Sequence, residues 1–209
     1  MEITFISDTH TKHHKLGKLS GDILVHCGDF SSRGHPDEFK DFISWLNLCE
    51  FRYKIIIAGN HDLGFENKRK LISQQLLKEA GCIYLNDSGT EIEDVKFWGS
   101  PIQPTYKNWA FMRDRGDEIQ KHWDLIPDDT DVLITHGPPY GVLDRCQDGK
   151  QAGCKNLLDT INRLNIKVHA FGHVHEEYGL IKKEGVIFIN ASNLNENYKL
   201  SNPPINIKI

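Results

Sequence analysis

The chain has 209 residues, 39% of them hydrophobic and 26% charged, with a formal net charge of −4. This composition predicts a single domain over residues 1–209 with a real core, and it excludes a disordered or collagen-like chain. No stretch approaches ~18 consecutive apolar residues, so no membrane association is expected, and the net negative charge argues against duplex nucleic acid as a partner.

The elements read as follows in chain order. Met1 to Asp8 lacks a basic stretch ahead of a long apolar one, so it reads as a first strand (Ile3–Ile6) and not as a signal peptide. Ile23-Leu24-Val25 is a second strand. Pro36 then opens a helix, with Asp37 and Glu38 favourable at the positive end of its dipole. Its stripe Phe39, Phe42, Ile43 and Leu46 follows the i, i+3, i+4, i+7 spacing. The run Ile55 to Ala58 is continuous enough for a strand buried on both faces. A helix is expected from about Asn67 to Ala80, stopped by Gly81. Short runs at 83–85, 91–92 and 95–98 suggest strands, and Gly116 to Trp123 suggests a short helix. Val132–Ile134 is another buried strand, followed by a helix using Leu157, Leu158, Ile161 and Leu164, then a strand at Val168–Phe171. Runs at 178–181 and 186–189 complete the set. Short turns join the later short strands, so antiparallel pairing is expected there. Strand-helix alternation followed by paired strands implies an α/β layered domain. The cysteines at 27, 49, 82, 146 and 154 are odd in number and lack C-x-x-C spacing, which predicts reduced thiols and a cytoplasmic location.

Five of these apolar runs stop at residues that can bind a metal. Ile3–Ile6 leads to Asp8 and His10, Ile23–Val25 to Asp29, and Ile55–Ala58 to Asn60 and His61. Val132–Ile134 leads to His136, and Val168–Phe171 to His173 and His175. Ligands collect beyond the carboxyl ends of strands in open α/β sheets, so these side chains are expected to converge. Gly28, Gly59 and Gly172 each precede one of them, as a sharp turn or a close backbone approach would require. Two carboxylates, one amide and several imidazoles make an oxygen–nitrogen site without thiolate. That suits manganese foremost, with zinc, iron or magnesium as alternatives. Seven candidate ligands exceed one tetrahedral ion and suit two divalent ions, the arrangement that activates water and steadies in-line displacement at phosphorus.

Asp8-Thr9-His10, Gly28-Asp29, Gly59-Asn60-His61-Asp62, His136 and Gly172-His173-Val174-His175 occur in that order. In this the chain resembles the calcineurin-like metallophosphoesterase superfamily, whose blocks are D-x-H, G-D, G-N-H-[DE], a lone His and G-H-x-H. Gly99 to Pro104, Asn108-Trp109-Ala110-Phe111, Thr135 to Pro139 and His175 to Gly179 are similar to the metallophosphoesterase domain-containing (brain-type) group. The resemblance implies two mixed β-sheets packed face to face as a sandwich flanked by helices, a metallophosphatase-like four-layer fold. It implies one ion on Asp8, His10, Asp29 and His175, and another on Asp29, Asn60, His136 and His173, with Asp29 bridging and a bridging hydroxide as nucleophile. His61 would contact a phosphate oxygen and protonate the leaving group. The chain departs from the phosphoprotein-phosphatase spacing G-D-x-x-D-R-G by having Ser32 where that branch has an Asp that orients the catalytic His. Arg33 stands where that branch binds phosphate.

The expected function is therefore hydrolysis of a small-molecule phosphoester, with phosphodiesters such as cyclic nucleotides favoured. A phosphomonoesterase or a nuclease on the same site is the alternative, and a non-catalytic scaffold a lesser one, since no ligand position is lost. A binuclear amidohydrolase barrel would carry its H-x-H after the first strand, and the chain is short for that fold. Trp109, Phe111 and Tyr106 could stack on a substrate ring or simply cover the core. His13, His14, His35 and His122 match no motif and read as solvated, whereas His26 and His169 lie within apolar runs and read as satisfied core residues. No residue pattern specifies an oligomeric state.

Overall fold

The computed structural model describes residues 1–66 and 68–209. Its first sheet contains β1 (Glu2–Ile6), β2 (Ile23–His26), β3 (Tyr53–Ile56) and β4 (Ile83–Tyr84), all parallel, with β13 (Ile205–Lys208) added antiparallel to β1. The second sheet contains β6 (Val95–Ser100), β9 (Val132–Thr135), β10 (Val168–Phe171) and β12 (Val186–Asn190) in parallel. Its two edges are antiparallel hairpin partners, β5 (Ser88–Ile92) against β6 and β11 (Gly179–Lys183) against β12. The antiparallel expectation for the later short strands holds for these two pairs, whereas β4 follows a helix and runs parallel to β3.

The two sheets face each other. Ile3, Phe5, Ile23, Val25, Ile55 and Ile57 from the first pack with Phe97, Val132, Ile134, Val168, Ala170 and Ile189 from the second. The alternate residues face outward. Leu24, Ile56, Leu133, Phe171 and Phe188 join a second cluster with the apolar stripes of four helices. These helices are α1 (Pro36–Leu48), α2 (Lys70–Glu79), α3 (Asp117–Trp123) and α4 (Lys155–Ile161). Strands covered on both faces need apolar residues at both parities, which is why the central runs read as continuous. Ile55 to Ala58 are accordingly fully buried.

The start expected for α2 at Asn67 lies outside the described residues, and the helix runs from Lys70. Leu164 falls beyond α4. Helix α1 buries Phe39, Phe42, Trp45 and Leu46, and Glu38 caps it by accepting the His35 backbone N–H. A small parallel pair, β7 (Gln103–Pro104) with β8 (Met112–Arg113), frames the loop carrying Trp109. Among the described residues no helix is long and apolar enough to cross a membrane.

All the central strands of both sheets point their carboxyl ends the same way. Beyond those ends the sheets are tied together, because Ser7 after β1 bridges to Ser192 after β12. Asn193 N–H donates to the Ser7 carbonyl at 2.9 Å, and Ser7 N–H donates to Asn193 Oδ1 at 3.2 Å. This seam holds the strand-end loops of both sheets in one place.

Candidate metal centre

The first sheet delivers Asp8, His10, Asp29, Asn60 and His61 to the seam, and the second delivers His136, His173 and His175. Four of the eight sit in the left-handed backbone region: Asp8 (φ 51°), His10 (φ 38°), Asp29 (φ 57°) and His173 (φ 70°). Non-glycine residues rarely adopt it, and such conformations gather where the fold overrides local preference to aim a side chain. Gly28 also has a positive φ, 99°. Gly59 and Gly172 are required for close approach instead. A Cβ on Gly59 would lie 2.3 Å from Asp29 Oδ1, and one on Gly172 would lie 2.0 Å from Asp8 Oδ2 and 2.1 Å from Ser7 Oγ.

Two overlapping sets result. Ligand atoms of Asp8, His10 and His175 lie within 4.8 Å of one another, and so do those of Asp29, His136 and His173. His175 Nε2 is 3.3 Å from Asp8 Oδ1, and His136 Nε2 is 3.3 Å from Asp29 Oδ2. Asp29 also faces the first set, with the same Oδ2 3.7 Å from His10 Nε2. Asn60 Oδ1 lies 3.1 Å from His136 Nε2. All seven expected ligand positions thus meet in one place, and Asp29 stands between the two sets.

Three of the four ligand imidazoles are presented in the same way. Nδ1 of His10 donates to the Ser31 carbonyl (3.1 Å), Nδ1 of His136 to the Cys27 carbonyl (2.8 Å), and Nδ1 of His175 to the Asn195 carbonyl (3.1 Å). Each such bond fixes the tautomer that leaves Nε2 as a lone pair for a metal. His10 Nε2 is buried and has no hydrogen-bond partner. A buried polar atom without a partner is costly, and a cation held by these groups would satisfy it. The residues present therefore fit a metal centre with oxygen and nitrogen ligands.

The electrostatics agree. Burial opposes charge on His136, but Asp29 beside it outweighs that and pushes the imidazole up to about 9. Burial would likewise raise Asp29, yet His136 and His10 hold it well below the usual carboxylate range. Burial lowers His173 to about 4, so that ring is neutral and free to coordinate. Supporting groups complete the frame. Asp8 Oδ2 accepts from His173 N–H and from Ser192 Oγ, both at 2.9 Å. Buried Asp62 accepts from the N–H of Asp29 (2.9 Å), Ser31 (2.9 Å) and Gly59 (2.8 Å) and from Ser31 Oγ (2.6 Å). Burial and the charge of Asp29 push Asp62 up to about 7. Its place in the Gly59–Asp62 block was the only signal in the sequence for this role; Ser192 and Asn195 carried none.

His61 offers a ring nitrogen within 4.8 Å of ligand atoms of His10 and Asp29. Its N–H donates to Asp29 Oδ1 at 2.8 Å. The orienting group that Ser32's side chain cannot supply comes from its backbone: His61 Nδ1 donates to the Ser32 carbonyl at 2.7 Å. Trp109 stacks on the His61 ring, centroids 4.2 Å apart at 28°, and the Arg33 guanidinium lies 5.8 Å from the Trp109 ring. Arg33 and Trp109, the candidate substrate-binding residues, both lie on the His61 flank. A cavity of about 630 Å³ opens on the other flank at His173 and His175, bordered by Gln103, Tyr106, Glu176 and Tyr198.

Of the histidines outside the motifs, His26 and His169 are buried as expected, bonded to Thr9 Oγ1 (3.0 Å) and Thr135 Oγ1 (2.8 Å), but only His26 is satisfied at both nitrogens, because His169 Nδ1 is buried without a partner. His122 is partly buried against Asp87 at 2.7 Å. His13, expected in solvent, is fully buried instead, because it packs on α1 and bonds to Asp41.

The calcineurin-like phosphoesterase family model matches residues 1–177. A human protein, metallophosphoesterase domain-containing protein 1, is 39% identical to this chain, with 98% of this chain and 69% of the human one covered. A Caenorhabditis elegans protein of the UPF0046 group is 36% identical, covering 98% and 74%. A more distant relative, a probable glycerophosphodiester phosphodiesterase of Arcobacter nitrofigilis, is 23% identical over 84% of this chain and 64% of its own. A solved Thermus thermophilus protein shares the fold with a TM-score of 0.62 at 10% identity, covering 90% of this chain and 88% of that one.

Proposed function

We propose, on the premise that this chain belongs to the calcineurin-like phosphoesterase family, that it is a metal-dependent hydrolase of small phosphodiesters. The observation that carries the reading is the set of three buried imidazoles with Nδ1 tied to main-chain carbonyls and Nε2 turned toward two buried carboxylates. Asp8, His10, Asp29 and His175 would hold one divalent ion, and Asp29, Asn60, His136 and His173 the other, with manganese the first candidate. When bound, such a pair supplies a water of lowered pKa and neutralises charge at phosphorus.

The chain's own groups do the rest. His61 Nδ1–H is held by the Ser32 carbonyl, so the second proton of its imidazolium sits on Nε2, from which the leaving oxygen can take it. Stacking on Trp109 keeps that ring from turning away. The cavity beside His173 and His175 receives the remainder of the substrate. On its border Glu176 accepts from Gln147 N–H and Glu196 from Asn197 Nδ2. A cavity of about 630 Å³ suits a small diester such as a cyclic nucleotide, and Arg115 and Lys150 share its border with these carboxylates. The Arcobacter relative, a probable glycerophosphodiester phosphodiesterase, supports diester chemistry. Five unpaired cysteines fit a reducing compartment such as the cytoplasm.

The test is a manganese-loaded activity panel of bis-p-nitrophenyl phosphate, p-nitrophenyl phosphate, and 2′,3′- and 3′,5′-cyclic nucleotides, with Asp29→Asn and His61→Ala as controls. Turnover of diesters above the monoester, abolished by Asp29→Asn, is expected. Absence of turnover on every diester would overturn the reading, and preference for the monoester would overturn its diester part.

A further inference from the structure

Among the described residues, one more set of metal-ligating groups converges outside the strand-end centre: His13, His14 and Asp41. The two histidines open a 3-10 turn (His13–Leu16) that follows the loop bearing Asp8 and His10, and Asp41 lies on α1. His13 Nε2 is 3.0 Å from Asp41 Oδ2, and His14 Nε2 is 3.0 Å from Asp41 Oδ1. The three ligand atoms all lie within 4.8 Å of one another.

Three features suit this triad to a cation. A tetrahedral ion with bonds of about 2.0–2.1 Å needs ligand atoms roughly 3.3 Å apart, close to the spacing of the two N–O pairs. The side chains differ usefully in exposure: His13 is fully buried, while His14 and Asp41 are 45% and 47% exposed, so solvent can enter the remaining coordination position. The triad is also preorganised. The His13 ring packs against both Phe42 and Trp45, with centroids at 5.3 and 5.1 Å, which holds its Nε2 toward Asp41. Burial holds His13 at about 4, so it is neutral at ordinary pH; its one ring proton then sits on Nε2 toward Asp41, and metal binding shifts it to Nδ1.

We propose that His13, His14 and Asp41 bind one zinc-type divalent ion, in a site distinct from the strand-end centre, tying the turn after His10 to α1. Two imidazoles and one carboxylate select zinc or a neighbouring late transition metal over magnesium or calcium. This site is the weaker of the two kinds. At the strand ends each anchored imidazole donates Nδ1–H to a carbonyl, whereas His13 Nδ1 is buried with no partner. Loss of such an outer bond typically costs about 10–100-fold in metal affinity. The proposal does not rest on the activity argued above.

The experiment is a Zn²⁺ titration of the chelator-stripped full chain by calorimetry, with bound metal measured directly at each plateau. Wild type is expected to take up one equivalent more than His14→Ala or Asp41→Asn, in a later and at least tenfold weaker phase. Asp29→Asn, which impairs the strand-end centre, is expected to keep that weaker phase. His14→Gln can still donate a hydrogen bond to Asp41 but cannot ligate, and is expected to behave as His14→Ala does. Equal uptake by wild type, His14→Ala and Asp41→Asn would overturn the proposal and leave the triad a hydrogen-bonded cluster only. Retention of the extra equivalent by His14→Gln would also overturn it.

Discussion

Replacing Gly172 by Ala adds a single methyl group, and the structure says where it must go. Its Cβ would stand 2.0 Å from Asp8 Oδ2, 2.1 Å from Ser7 Oγ and 2.7 Å from Ser7 Cβ. Restoring an ordinary contact of about 3.4 Å requires the Asp8 carboxylate to retreat by roughly 1.4 Å. Gly172 is not in the left-handed region, so the backbone itself tolerates alanine and the effect is one of space alone. A retreat of that size breaks both bonds that hold Asp8 Oδ2, from His173 N–H and from Ser192 Oγ. It also moves Oδ1 away from His175 Nε2. Overpacking of this kind costs about 1–3 kcal/mol of stability, within the reserve of a typical domain. Function should suffer visibly even though the fold survives, because a displacement near 1 Å at a reacting centre costs about 100-fold in rate, or about 2.7 kcal/mol. The variant is therefore expected to fold, to bind manganese at least tenfold more weakly by calorimetry, and to lose about two orders of magnitude in kcat/KM on bis-p-nitrophenyl phosphate. A Gly172→Ala protein with wild-type metal affinity, and with activity within a few-fold of wild type, would refute the steric reasoning.

Asp62→Asn puts an NH2 donor where one acceptor oxygen stood, so whichever way the amide turns two donors lose their acceptor: the N–H groups of Asp29 and Gly59, or the N–H and Oγ–H of Ser31. Two orphaned donors cost on the order of 2–6 kcal/mol, and relief of the repulsion between Asp62 and Asp29 keeps the loss toward the lower end. Urea unfolding of the metal-free chain near pH 8 checks this, and a variant within 1 kcal/mol of wild type would count against it. Trp109→Ala frees the His61 ring from a stack worth about 0.5–1.5 kcal/mol. It should lower kcat about 2–10-fold on diesters with poor leaving groups and little on p-nitrophenyl esters, with Trp109→Phe restoring most of the loss. His136 is raised to about 9 in the metal-free chain, above its unfolded value near 6.5. Its contribution to stability is therefore complete below about 6.5 and is lost as pH rises through about 9. Metal must displace that proton, so calorimetry at neutral pH in buffers of different ionisation enthalpy should show at least one proton released per chain; none released would contradict the His136–Asp29 pairing.

The strands and the ligand set were legible because both rest on residue type at a fixed place. Runs such as Ile55–Ala58 announce a buried parallel strand, and Asp, Asn or His just past five such runs announce a shared site. What escaped reading acts through the main chain or through shape. Ser31, Ser32, Cys27 and Asn195 serve by their carbonyls, which every residue possesses, so no side chain signals them. His13 looks like any polar residue in a short segment, and only the docking of α1 buries it. The strand β13 did carry a legible alternation at Ile205 and Ile207, beyond the proline pair that marks the preceding stretch as loop.

Because the eight groups come from opposite halves of the sandwich, neither half is a rudimentary enzyme. Polypeptide cut in the connection between β4 and β5 would separate five of them from the other three, and catalysis would return only on reassembly of the fragments. Seen mechanically, ions gripped from both sides would act as rivets against sliding of one half over the other. Loading should then register far from the chemistry, as slowed amide exchange along β1 and β10, whose loops the ions clamp.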